Sequence, residues 1–149
     1  MEKPFVLLAD DNESTCTLIM ALLQSDFIVD VATDGQEAIE KLRSRRYAAV
    51  LLDLLMPVVD GYGVLDFLRE ESPEMLRRVL IVTASLSPRE MERVHKYDIC
   101  GVIAKPFEVD SLFAAVRQCA GEGGPPFMRG PLLSSGMILL LAEMFVRRG

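Results

Sequence analysis

The sequence predicts an α/β domain in which a doubly wound parallel sheet of five strands carries helices on both faces. Two observations predict it. Strand-like and helix-like patterns alternate five times with short connections, and a parallel strand pair needs a crossover that a helix supplies. The strand-like runs are almost wholly apolar, as in strands covered on both faces.

The first run, Pro4 to Ala9, stops abruptly at Asp10-Asp11-Asn12-Glu13. Leu18, Ile19, Leu22 and Leu23 then recur at helical spacing. Phe27 to Ala32 reads as the second strand, and Asp34-Gly35 as the turn before a helix faced by Ala38, Ile39 and Leu42. Ala48 to Leu52 is the third strand, ending at Asp53, and a loop from Leu54 to Gly61 leads to a helix bearing Val64, Leu65 and Leu68. Val79 to Val82 is the fourth strand, ending at Thr83; Pro88 suits the first turn of a helix that runs to about Lys96. Gly101 to Ala104 is the fifth strand, ending at Lys105-Pro106, and Asp110-Ser111 starts the last helix. The pattern leaves the order of the strands open.

A chain of 149 residues, half of them hydrophobic and about a quarter charged, suits one globular domain with a good core. The net charge of −6, with no Lys/Arg cluster, argues against non-specific nucleic-acid binding. Cys16, Cys100 and Cys119 are odd in number, far apart and without metal-ligand spacing, so they read as reduced thiols of a cytoplasmic protein. The N-terminal apolar run is too short for a signal peptide.

The polar residues fall in one structural position. Asp10, Asp11, Asp53, Thr83 and Lys105 each lie at the carboxyl end of a strand, the edge at which open α/β sheets bind ligands. Clustered carboxylates repel unless a hard cation such as Mg²⁺ relieves them. An Asp can be a nucleophile toward phosphorus, Lys supplies a point charge for phosphate, and the Thr hydroxyl can donate to a phosphoryl oxygen. The set suits phosphoryl transfer to an aspartate. Taken alone, Asp10 and Asp11 read as helix-start acids, and Thr83 as an ordinary strand residue; Asp53 and Lys105 change that reading.

With Leu7 to Asp11, Ala32 to Ala38, Leu52-Asp53-Leu54-Leu55-Met56-Pro57-Val58-Val59-Asp60-Gly61, Val82-Thr83-Ala84 and Ala104-Lys105-Pro106-Phe107 in this order, the sequence resembles the response-regulator receiver domains of two-component signalling. The resemblance spans roughly residues 4 to 120. It implies a flavodoxin-like (βα)₅ fold with strand order 2-1-3-4-5. It implies Asp53 as the acceptor of a phosphoryl group from a sensor histidine kinase or a histidine phosphotransfer protein. It also implies Mg²⁺, with Mn²⁺ as the alternative ion, on Asp10, Asp11, Asp53 and the backbone carbonyl of Leu55. Thr83 and Lys105 would contact the phosphoryl group, and the Lys105-Pro106 bond is cis in the family. Such a domain is a signalling switch that catalyses at most its own phosphotransfer and slow hydrolysis.

Two positions depart from the family pattern. Val102 stands where an aromatic ring often swings inward, and a valine has no ring to swing. Leu55 cannot position an attacking water, which implies slow autodephosphorylation. Residues 1–120 are expected to form the receiver and 121–131 a Gly/Pro-rich linker, with 132–149 an apolar, helical segment. That segment could pack on its own domain, pair two protomers, lie on a membrane surface, or begin a longer protein. A homodimer through the fourth-to-fifth-helix face is a further expectation; direct nucleic-acid contact is not. Two other functions compete with the switch. One is a phosphorylation-independent interaction module. The other is a haloacid-dehalogenase-like phosphatase, which needs a second Asp where Leu55 stands.

Overall fold

A computed structural model of the protein describes residues 2–121. The expected linker and apolar segment therefore lie, Gly121 apart, outside the described residues. The strands are β1 (Phe5–Ala9), β2 (Ile28–Ala32), β3 (Ala49–Leu52), β4 (Val79–Thr83) and β5 (Gly101–Ala104). The helices are α1 (Glu13–Leu23), α2 (Gly35–Ser44), α3 (Gly61–Glu71), α4 (Pro88–Val94) and α5 (Val109–Cys119), with a short 3-10 helix at Pro73–Arg78 that the sequence pattern had not suggested. All strand pairs are parallel and the order is β2-β1-β3-β4-β5, as the family resemblance implies.

Alternate residues of each central strand feed opposite faces of the sheet. Leu7, Val50, Leu52, Ile81 and Val102 pack with Ala38, Val64, Leu65, Leu68, Met91 and Val94, which puts α2, α3 and α4 on one face. Val6, Leu8, Leu51, Val82 and Ile103 pack with Ile19, Leu23, Leu112 and Val116, which puts α1 and α5 on the other. Both faces of β3 and β4 are buried throughout, which explains their unbroken apolar sequence. Side-chain caps start four of the five α-helices among the described residues: Asn12, Asp34, Asp60 and Ser87 each accept an N–H from the residue three positions on.

One expectation is corrected. Cys100 and Cys119 are bonded to each other, with Cα atoms 5.7 Å apart. The bond ties the residue before β5 to the last residue of α5. Nothing in the spacing of the cysteines announces this; the βα unit between them folds back and brings its two ends together. Cys16 keeps a free thiol, as expected. Burial, with Asp10 nearby, pushes that thiol up to about 11, so it stays protonated and unreactive near neutrality.

Each of the three tyrosines gives its hydroxyl proton to a carboxylate: Tyr47 to Asp30 at 2.7 Å, Tyr97 to Asp66 at 2.5 Å, and Tyr62 to Glu90. Burial first, and then the hydrogen bond to the acceptor and its charge, hold all three phenols above the ordinary tyrosine range. The unfolded chain releases these protons near pH 10, whereas the folded chain retains them. Stability from these bonds is therefore complete below about pH 10 and falls as pH rises above it. We expect phenolate absorbance to appear at distinctly higher pH in the native protein than in urea; superimposable titrations would contradict the buried, acceptor-paired phenols.

Candidate functional site

The parallel ladder delivers the polar residues to one edge. Beyond β1 the Asp10 N–H donates to the Ala32 carbonyl, and beyond β3 the Asp53 N–H donates to the Ala9 carbonyl, each at 3.0 Å. Both aspartates thus start as continuations of the sheet before the chain turns away. They flank the gap between β1 and β3, where successive connections leave in opposite directions along the sheet, the usual ligand position in such folds. Thr83 ends β4, and the Lys105 N–H donates back to the Thr83 carbonyl at 2.9 Å. The Lys105-Pro106 peptide is cis.

The side chains converge. Lys105 Nζ donates to Asp10 Oδ2 at 2.6 Å and to Asp53 Oδ2 at 3.1 Å. Asp10, Asp53 and Thr83 are buried, whereas Asp11 is exposed at the rim. Oxygens of Asp10, Asp11 and Asp53 lie within 4.8 Å of one another, close enough to share one cation. The other Asp10 oxygen accepts the Asn12 N–H at 2.9 Å, and Asp53 Oδ1 accepts the Leu55 N–H at 3.2 Å. Thr83 Oγ1 accepts the Ser85 N–H at 3.2 Å, which leaves its own hydrogen to donate.

Burial alone would lower the Lys105 ammonium. Its hydrogen bond to Asp10 and the charges of Asp53 and Asp10 outweigh burial and hold it above its ordinary value. It is a fixed positive charge between two buried carboxylates. Three carboxylates against one ammonium leave a net negative, all-oxygen donor set, which suits a hard divalent cation such as Mg²⁺.

Asp10, Asp11, Asp53 and Lys105 come together here, with Thr83 at the end of the neighbouring β4 and Leu55 on the adjoining loop. The sequence pattern marks Gly61 only as the end of the loop before α3. Its backbone is an ordinary helix start. What it provides is closeness: a Cβ there would stand 2.5 Å from the Asp53 carbonyl oxygen and 2.7 Å from Leu54 Cα. Tyr62 was also passed over. It falls three residues before Leu65 on the buried face of α3, and a buried tyrosine needs a partner for its hydroxyl.

The comparisons agree with the geometry. Residues 6–117 match the response regulator receiver domain family model, and the chain belongs to that family. Transcription factor SKN7 of Chaetomium thermophilum is 32% identical over 121 residues, which are 78% of this chain and 15% of that protein. Transcriptional regulatory protein TcrA of Mycobacterium tuberculosis is 30% identical over 135 residues, 91% of this chain and 52% of that protein. The chain thus spans 15% of the first relative's length and about half of the second's. Among solved structures, a Francisella response regulator receiver domain is 28% identical with a TM-score of 0.72, covering 80% of this chain and 98% of its own. The receiver domain of a Pseudomonas aeruginosa sensor histidine kinase, solved with magnesium coordinated in its active site cleft, is 28% identical with a TM-score of 0.73, covering 81% of this chain and all of its own. Domains of this family are signalling switches of two-component systems. No described helix is long and apolar enough to cross a membrane.

Proposed function

We propose that this chain accepts a phosphoryl group on Asp53 from a sensor histidine kinase or a histidine phosphotransfer protein, and that the modification switches partner binding. The observation that carries this reading is the convergence of Asp53 with Lys105 and two further carboxylates at one sheet edge. An Asp53 carboxylate oxygen attacks phosphorus, one O–P bond forms, and the bond to the donor's leaving group breaks. Asp10, Asp11, Asp53 and the Leu55 carbonyl would hold Mg²⁺ or Mn²⁺. Such an ion neutralises phosphoryl oxygens. Lys105 reaches Asp53 already and follows the new charge, and the Thr83 hydroxyl donates to a phosphoryl oxygen.

On this reading residues 1–120 are the receiver, 121–131 a linker and 132–149 an apolar segment of a cytoplasmic protein. The two curated relatives carry names of DNA regulators but are longer than this span; we assign nucleic-acid contact to other parts of such proteins. A homodimer would use the α4-to-α5 face or the apolar segment. Leu55 is 62% exposed beside Asp53 and offers no polar atom beyond its backbone, so the phosphorylated state should be long-lived.

The test is intact mass after incubation with acetyl phosphate and Mg²⁺. The expected result is a gain of one phosphoryl group, absent in Asp53→Asn and without metal, and decaying faster in Leu55→Asn. No gain, where a known receiver is modified, would instead favour a phosphorylation-independent interaction module.

A further inference from the structure

The face carrying α4 is held to α3 by two reciprocal side-chain clasps. At the start of α4 the Tyr62 hydroxyl of α3 donates to the Glu90 carboxylate of α4, and the Arg93 guanidinium of α4 lies 3.6 Å from the centre of the Tyr62 ring. At the far end the direction reverses. Tyr97, just past α4, donates to Asp66 of α3 at 2.5 Å, and Arg69 of α3 lies 4.9 Å from the Tyr97 ring centre. Apolar anchoring between them is slight: α4 has seven residues and buries only Met91 and Val94.

The first clasp sits between two chains of contacts that both begin at the phosphorylation site. On one side, Gly61 is pressed against the Asp53 carbonyl and its N–H donates to the Leu54 carbonyl at 2.9 Å, so Tyr62 has little room to move. On the other side, Thr83 Oγ1 holds the Ser85 N–H, and Ser87 Oγ caps α4 through the Glu90 N–H at 3.1 Å. A displacement of Thr83 toward a phosphoryl group would be carried along residues 84–87 into the first turn of α4, where Glu90 stands. One partner of the Tyr62–Glu90 bond is anchored beside Asp53, and the other is joined to Thr83 through residues 84–87.

From this arrangement we propose that the Tyr62–Glu90 bond is a latch: it is closed in the unmodified protein and opens on phosphorylation, with α4 pivoting about the Tyr97–Asp66 clasp. The proposal rests on the phosphoacceptor reading of Asp53. It gives the molecule a route from site to surface that needs no aromatic ring at Val102. The surface it alters is the start of α4, where Glu90 and Arg93 would be freed together as an acid–base pair.

Hydrogen–deuterium exchange over residues 88–94 tests it, with the full chain before and after acetyl phosphate and Mg²⁺, and intact mass recorded on each sample. Tyr62→Phe keeps the ring under Arg93 and removes only the hydroxyl. It should raise exchange of α4 about tenfold in the unmodified protein, roughly what one hydrogen bond to a charged group protects. Phosphorylation should raise exchange in the same segment of the wild type, and add little in Tyr62→Phe. Tyr97→Phe should retain the response to phosphorylation. Wild-type protection in unmodified Tyr62→Phe would overturn the latch. So would a wild type that gains the phosphoryl mass without a change in α4. Absence of any mass gain would overturn the phosphoacceptor reading and with it the coupling, an outcome the mass record separates from the other two.

Discussion

Gly61→Ala is expected to lose about 3 kcal/mol of stability and to slow phosphorylation of Asp53 by roughly a hundredfold. The new methyl would meet backbone on two sides, 2.5 Å from the Asp53 carbonyl oxygen and 2.7 Å from Leu54 Cα. Neither neighbour can step back cheaply. The Asp53 N–H is bonded to Ala9 in the sheet, and Leu54 is buried. The better helix propensity of alanine, worth about 1 kcal/mol, is smaller than this overlap. Gly63→Ala is the control. It lies two residues further along α3, and its added methyl would crowd the tip of the Val59 side chain at 2.4 Å, its nearest neighbours outside the helix backbone being side-chain atoms. Urea unfolding and the rate of mass gain measure both effects. Equal behaviour of the two variants would show that the backbone at Asp53 yields easily.

Loss of the Cys100–Cys119 bond should destabilise the protein by about 3 kcal/mol, judged from the sequence separation of 19 between the cysteines and the entropy that closing such a loop removes from the unfolded chain. With an ordinary urea dependence this lowers the unfolding midpoint by about 1 M or more. The measurement compares the oxidised protein, the reduced protein and Cys119→Ser. Reduction and substitution should coincide, because both leave the same open chain. A midpoint indifferent to reductant would mean that the two thiols are not joined in solution.

Much of this molecule was legible in its sequence because its sheet is buried on both faces. The runs at 48–52, 79–82 and 101–104 could be little else, and β5 has the limits that the pattern implies. The site was legible for a related reason. A polar residue that ends an apolar strand has only the sheet edge to occupy, and Asp10, Asp53, Thr83 and Lys105 all do so. The illegible features depend on contacts across the fold. The pairing of Cys100 with Cys119 requires knowing how α5 returns along β5. The 3-10 helix at Pro73–Arg78 has too few residues to develop a period. The role of Gly61 lies in what it stands against, not in its own conformation. Tyr62 and Tyr97 find their acceptors 28 and 31 residues away, distances at which no local pattern speaks.

The span of the Lys105–Asp10 contact has a consequence for the life of the chain before folding is complete. The two residues are 95 positions apart, and the ammonium arrives on the last strand of the sheet. A chain still emerging from synthesis has Asp10, Asp11 and Asp53 long before it has Lys105. Until β5 docks on β4, those carboxylates lack their internal counter-charge, and the edge that presents Asp53 is unfinished. On the proposed phosphoacceptor reading, competence to receive a signal would be withheld from partly made chains, because the contact that completes the site forms only when the fold around it is whole.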